Sequence, residues 1–367
     1  MMNDWLDDLR GPEAAQQLSE MIHTLCARLD RPVRLMEVCG THTVAICRHG
    51  IRDLLPSSLT LSSGPGCPVC VTSTGELDTC IETARLPGVT VATFGDLIRV
   101  PGSRTTLQQE QGRGAEVRIV YSPLDALDLA RRESQRQVVF LGVGFETTAP
   151  TVAATILSAA AEKIDNFSVI CAHKLVPPVL HALLADPEVK LDGLILPGHV
   201  SVMLGAGAYR VFSQRYHVPC VIAGFEPADI LEAVARLTMQ LVEGRAEVEV
   251  GYRRAVDEEG NPKAMALMQQ VFEPVDATWR GLGVIAGSGL AIREEFAHYD
   301  ARRRFNLVTR EAPDPPGCAC GRVLKSLIPP SGCPLFGRAC TPQHPVGPCM
   351  VSGEGACGAH YRFRAVG

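Results

Sequence analysis

The sequence predicts an α/β protein of repeated Rossmann-like parallel-sheet domains, ending in a cysteine-rich region of a different kind. Three observations carry this. Short apolar runs alternate with segments of helical period across short connections, which implies parallel strands joined by helical crossovers. An internal echo, GFETTAP from Gly144 and GFEPADI from Gly224, places a glutamate after an apolar strand and before a helix each time. Finally, six of the 14 cysteines lie beyond residue 317 among Gly and Pro: Cys318, Cys320, Cys333, Cys340, Cys349 and Cys357.

In chain order, residues 13–29 read as an amphipathic helix with Leu18, Ile22, Leu25 and Leu29 on one face, and Cys26 as a small buried hydrophobe. RPVRLMEV is a strand, THTVAICRHGIRDLL a helix, SLTLSS a strand, STGELDTCIETARL a helix and VTVATF a strand. Cys47 and Cys80 fall inside the predicted helices and read as packing residues. PGSRTTLQQEQGRGAE is a polar, glycine-rich connection, after which the pattern restarts. EVRIVYS, QVVFLGV, FSVICAH, LDGLILPG and VPCVIAGF are strands; PLDALDLARRES, TAPTVAATILSAAAEKI, VPPVLHALLAD and AGAYRVFSQRYH are helices. ADILEAVARLTMQLVE closes this region as a helix. Beyond it, NPKAMALMQQVFEP suggests a helical stretch, GLGVIAGSGL a short strand with a glycine turn, and REEFAHYDARRRF a helix. From Pro313 the chain is too rich in Pro and Gly for regular helix or sheet. The domains expected are 1–115, 116–243 and 244–367.

With 367 residues and 14 cysteines, the chain is long enough for substantial cores and needs no disulfide framework. A net charge of -5 gives no support to nucleic-acid binding, and Arg302, Arg303 and Arg304 read as a solvated helix face. No apolar run reaches membrane-spanning length, and VVFLGVGFETTAP is broken by Glu146. MMNDWLDDLR has neither the basic nor the apolar part of a secretory signal. A soluble cytoplasmic protein is therefore expected, its thiols reduced, metal-bound or transiently oxidised.

The tail thiols point to a metal or redox centre. Cys318, Cys333, Cys340 and Cys357 offer four thiolates on long loops, with Cys320 and Cys349 as spare candidates. Four thiolates suit tetrahedral zinc or a [4Fe-4S] cubane, and the spacing lacks the paired Cys-x-x-Cys units of zinc knuckles. Redox or packing thiols are the remaining reading.

Upstream, Cys39 in RLMEVCGTHT falls where a strand ends and a helix begins, the edge of an α/β sheet where ligands bind. His42, three residues on, is placed to converge with the Cys39 thiolate on one iron or zinc. Cys67 and Cys70 form a Cys-Pro-Val-Cys unit between a strand and a helix, the context of a reversible disulfide. A zinc half-site is the competing account. Glu146 with Thr147 and Thr148, Glu226, and His199 in PGHVS occupy similar strand-to-helix positions, where helix capping is the alternative role.

CGTHT at Cys39, GPGCPVC at Gly64, GFETTAP at Gly144, LPGHVS at Leu196 and the tail motifs CACG, CPLFG, CTP, GPCMVS and EGAC together resemble the HypD family, the iron-sulfur scaffold proteins of [NiFe]-hydrogenase maturation. The resemblance spans nearly the whole chain. It implies three α/β domains around a cleft, with a C-terminal iron-sulfur domain, and assembly of the Fe(CN)2CO group on transient Fe(II) carrying cyanide and carbon monoxide. It also implies a small HypC-type chaperone partner, a HypE-type cyanide donor and, indirectly, the hydrogenase large subunit, with no nucleic acid or membrane. Residue by residue, Cys39 becomes the thiol at the iron-binding cleft with His42 beside it, Cys67 and Cys70 the redox pair, and Glu146 a polar contact in that cleft. Cys318, Cys333, Cys340 and Cys357 become the [4Fe-4S] ligands, with Cys320 an alternative for the first. A cluster-dependent protein disulfide oxidoreductase would share the CxxC pair and the cubane; Cys39 with His42 is what it would not need.

Overall fold

The computed structural model describes residues 11–363. Its strands are β1 (Val33–Glu37), β2 (Leu59–Ser63), β3 (Val89–Thr93), β4 (Glu116–Ile119), β5 (Gln137–Gly142), β6 (Phe167–Cys171), β7 (Gly193–Pro197), β8 (Cys220–Ala223), β9 (Val248–Val250), β10 (Phe272–Trp279) and β11 (Gly283–Ile292). Two sheets are wholly parallel, ordered β2-β1-β7-β8-β9 and β4-β3-β5-β6, and β10 pairs with β11 antiparallel. The fold is thus a mixed, mainly parallel α/β arrangement of several sheets around a cleft. β3, β6, β7 and β8 are buried at every position and β5 at all but its first, as strands covered on both faces must be.

Counted along the chain within each sheet, the strand orders are 2-1-3-4-5 and 2-1-3-4. Each sheet therefore has a switch point, between β1 and β7 in one and between β3 and β5 in the other, where successive crossovers leave in opposite directions. Such a point opens a crevice beyond the strands' carboxyl ends. The chain leaves the first sheet after β2, builds the whole second sheet, and returns at β7. The expected division at 115/116 runs between β3 and β4, which are hydrogen-bonded neighbours, and that at 243/244 precedes β9, which closes the first sheet.

Most predicted elements occur where the period placed them. The helix Pro12–Cys26 packs on Pro227–Glu243, and Ala149–Glu162 on Pro262–Val271. Several elements depart from the reading. The polar connection contains a helix, Leu107–Gly112, opened by a Thr106–Gln109 capping box. FEPVDATW is the strand β10 rather than the end of a helix. Glu294–Tyr299 is a 3₁₀ turn and only Ala301–Arg304 is helical. The tail holds three short helices, Cys320–Leu324, Pro348–Val351 and Ala356–Arg362. Each is one or two turns long, which is what its glycines and prolines leave room for.

One buried ion pair ties the layers together. Lys174, just after β6, is 1% exposed and its Nζ donates to Glu76 Oε1 at 2.6 Å. Glu76 also closes the capping box with Ser73 at the start of the helix Thr74–Thr83. Removing one partner strands a charge in the interior. Lys174→Met is expected to lower stability by about 3–5 kcal/mol, and Lys174→Met with Glu76→Gln to recover most of that loss, as read by urea denaturation.

Candidate functional site

The switch points of the two sheets face one cavity of about 250 Å³. Cys39 and Thr41 reach it from the end of β1, Phe94 and Asp96 from β3, Thr147 and Thr148 from β5, and His199 from β7. Glu354 of the tail closes one wall, with Thr41 Oγ1 donating to its Oε1 at 2.8 Å. The cysteine-rich tail therefore returns to the carboxyl edge of the first sheet.

Cys39 is the N-cap residue of the helix Gly40–Arg48. Burial pushes its thiol up to about 12; the backbone N–H groups of His42 and Thr41 pull it back, while the carboxyls of Glu37 and Glu354 push it further. The thiol is thus neutral near pH 7 until a cation arrives, and coordination to a metal would deprotonate it. The turn is fixed by Glu37, whose Oε2 accepts Cys39 N–H at 2.9 Å and whose Oε1 accepts the Thr43 hydroxyl at 2.5 Å.

The second thiol unit lies directly against the first. A Cβ on Gly66 would fall 2.2 Å from Cys39 N, and Gly40 N–H donates to Gly66 O at 3.0 Å. Only glycine allows this approach. Cys67 and Cys70 are disulfide-bonded with Cα atoms 5.2 Å apart, and Pro68 and Val69 between them line the cavity.

His42 departs from its expected geometry. Its Nε2 lies 2.8 Å from Gly224 O and 3.3 Å from Ala223 O, its ring is fully buried beside Phe225, and its Nδ1 has no partner among the described residues. Burial pushes its pKa down to about 4, so the ring is neutral. As the third residue of its helix, it turns its backbone, not its imidazole, toward Cys39. The ring instead joins the helix Gly40–Arg48 to the end of β8.

Glu146 is buried behind the cavity wall rather than in it. Its Oε1 accepts Val176 N–H at 2.8 Å, the first donor of the helix Val176–Ala185, whose next two residues are prolines. Its Oε2 has no partner among the described residues, and burial pushes the carboxyl up to about 7. Glu226, the other member of the echo, takes part in a capping box with Asp229. His199 is exposed to the cavity, its ring stacked on Phe225 at 4.0 Å, and partial burial lowers its pKa.

Among the described residues, no group of three or more His, Cys, Asp or Glu side chains is arranged to hold a single metal ion. The tail thiols are nonetheless gathered. Cys320 lies between Cys318 and Cys349; Cys318 lowers it, but Cys349 and burial outweigh that and hold it well up. Cys318 is raised by Cys320 and by burial. Burial raises Cys357 too, and the charges of Cys320, Cys318, Cys333 and Cys340 add to it. Val346 N–H donates to Cys340 Sγ at 3.3 Å, the kind of contact that tunes a metal-bound sulfur. With no three of them set around one ion, these thiols are a donor set that an iron-sulfide core, which bridges several thiolates, would span.

Fold and site define a thiol-rich α/β protein in which one neutral cysteine, one CxxC unit and a six-cysteine tail meet at the edge of two parallel sheets. The sequence matches the family described as HypD, Hydrogenase formation hypA family, over residues 13–364, and the chain belongs to that family. It is 48% identical over 368 residues to the hydrogenase maturation factor HypD of Azotobacter vinelandii, covering 98% of this chain and 96% of that one. Identity to the hydrogenase maturation factor HypD of Escherichia coli (strain K12) is 44% over 365 residues, 98% of each chain. The hydrogenase maturation factor HypD of Cupriavidus necator is 44% identical over 367 residues, covering 98% and 97%.

Sequence reasoning missed Glu37, the Lys174–Glu76 pair and Arg280. A lone acid in the apolar strand RLMEV was a signal for the first; the other two depend on distant partners. The Glu146 carboxyl gives a pH test. Its folded pKa lies above its unfolded one, so its contribution is fully present below about pH 4.5 and is lost as pH rises through about 7. Glu146→Gln is neutral throughout. Relative to the parent protein it is expected to gain stability between pH 5 and pH 8, by roughly 2–3 kcal/mol, in urea denaturation at the two values.

Proposed function

We propose that this chain is a hydrogenase maturation scaffold on which the Fe(CN)2CO group of [NiFe]-hydrogenase is assembled, with Cys39 as its anchor for the iron. The observation that carries this is Cys39 itself: a neutral thiol on the cavity between two sheet edges, against the backbone of a CxxC unit. Iron is the cargo. A soft thiolate suits low-spin Fe(II) carrying cyanide and carbon monoxide. The Asp96 and Glu354 carboxyls and the His199 ring border the same space, and His42 acts from behind by fixing the helix end.

Cyanide delivered as a protein thiocyanate by a HypE-type donor must be released with two electrons. The Cys67–Cys70 dithiol balances the step: its two thiols form one disulfide and give up two electrons and two protons. One proton goes to the donor's sulfur as its S–C bond breaks, the other goes to solvent, and cyanide binds iron. The disulfide is the oxidised end of that cycle. A [4Fe-4S] cluster held by Cys318, Cys333, Cys340 and Cys357 would supply electrons to restore the dithiol.

In this reading a small HypC-type partner shares the iron at the cavity mouth, and the finished unit passes toward the hydrogenase large subunit. The two parallel sheets serve as repeated Rossmann-like units made of interleaved chain, and the region beyond residue 244 carries the iron-sulfur end. Among the described residues no helix is long and apolar enough to cross a membrane. Reduced thiol chemistry of this kind fits the cytoplasm.

Infrared spectroscopy of the complex purified anaerobically with its small partner tests the anchor. Cyanide and carbonyl stretches are expected with the parent protein and absent with Cys39→Ala, while His42→Ala weakens them less. Full-strength bands in Cys39→Ala would move the anchor to the partner or to Cys67 and Cys70. Cys333→Ala or Cys340→Ala is expected to lose most bound iron and sulfide; zinc in place of iron after reconstitution would overturn the cluster.

A further inference from the structure

The turn of the β10–β11 hairpin is wedged between the two thiol centres. On one side it meets the segment that follows Cys70: Thr72 bridges Trp279, Arg280 N–H donates to Val71 O at 2.8 Å, and Arg280 Nε donates to Thr72 O at 3.1 Å. On the other side it meets the tail. Gly281, at φ +71°, packs so closely on Gly321 that a Cβ there would stand 2.1 Å from Gly321 Cα. Gly321 follows Cys320 directly.

Arg280 spans this wedge. It is 2% exposed, and its Nη1 pairs with Asp314 Oδ1 at 2.5 Å. Its Nη2 is buried and has no hydrogen-bond partner among the described residues. The tail-side contacts of this turn, Arg280 with Asp314 and Gly281 with Gly321, bracket Cys318 and Cys320. A buried guanidinium with an idle donor is costly unless an acceptor arrives, and the tail segment beside it carries thiols that become strong acceptors when they gain negative charge. The planar fork holds one carbonyl and one carboxylate and still presents a donor elsewhere, while the backbone N–H takes the second carbonyl.

We propose that Arg280 is a positioning residue joining the two thiol centres: its fork holds the segment after Cys70, and its Nη2 donates to a tail sulfur that carries negative charge. This rests on the reading that the tail holds an iron-sulfur group. Cation and hydrogen bond both favour the more negative, reduced form of such a group, so they raise its reduction potential and place the electron beside the backbone that carries the disulfide.

The test uses the full chain, purified anaerobically, as Arg280→Gln and Arg280→Lys. Iron and sulfide per chain are measured first, then the midpoint potential by dye-mediated titration. Arg280→Gln is expected to keep its iron and to become harder to reduce, its one-electron equilibrium constant falling about tenfold, ~59 mV. Arg280→Lys keeps the charge without the fork and should lie between. A loaded Arg280→Gln protein with the parent's potential overturns the proposal. Should Arg280→Gln fail to fold, an Arg280→Lys potential equal to the parent's overturns it and a lowered one supports it. If the parent itself binds no iron-sulfur group, the cofactor reading fails separately, and amide hydrogen exchange of the metal-free chain decides. Joint loss of protection at residues 71–73 and 319–321 in Arg280→Gln then supports the coupling, and loss at one segment or neither overturns it.

Discussion

Glu37 holds the site together. It is fully buried at the end of β1, where one oxygen accepts Cys39 N–H and the other the Thr43 hydroxyl, and its own carbonyl accepts Gly64 N–H at 2.7 Å. Burial raises its pKa, and Ser63, Thr43 and Cys39 act against that rise. A buried carboxyl with several donors is locked in place, because any movement leaves a polar atom unsatisfied. The turn after β1, the start of the next helix and the loop after β2 are fixed by one residue. Cys39 and the glycine loop leading to Cys67 are therefore set relative to each other before any ligand enters.

The wider architecture works in the same direction. Two parallel sheets with the same strand order aim their switch points at one cavity, so residues far apart in the chain, Cys39, Asp96, Thr148 and His199, line a single space. The tail then turns back onto the first sheet, with Ala356–Arg362 packed on the helix that begins beside Cys39 and Glu354 at the cavity wall. The CxxC segment meets the tail helix Pro348–Val351 directly, and the β10–β11 turn packs on the segment after Cys70 and on Gly321 of the tail. Thiols at three points of the sequence are thus brought together by backbone contacts that need glycine at Gly66, Gly281 and Gly321.

The sequence made the parallel architecture legible because buried strands such as VVFLG and LILP carry their own signal, and strand-to-helix turns mark where Cys39, Glu146 and His199 stand. It did not reveal that the first sheet is interrupted by the second, since local periodicity says nothing of which strands pair. β10 was hidden because Glu273, Pro274, Val275 and Asp276 are exposed on a two-stranded ribbon and give no alternation. The direction of the His42 ring depends on carbonyls 181 and 182 residues away. The approach of Cys349 to Cys320 is likewise long-range. Side-chain direction and distant pairing lie outside what spacing encodes.

The contrast between the thiols makes physical sense for a scaffold. Cys39 is buried and neutral, so it resists alkylation and oxidation, which require thiolate, yet gains an ionic bond when a metal cation displaces its proton. Cys67 and Cys70 are close enough to exchange electrons as a pair. The tail thiols are crowded, and burial with the charges of its neighbours holds Cys357 protonated. Each group alone is ambiguous. In the function proposed above they separate holding the metal from moving the electrons, so the anchor need not change oxidation state while its cargo acquires ligands.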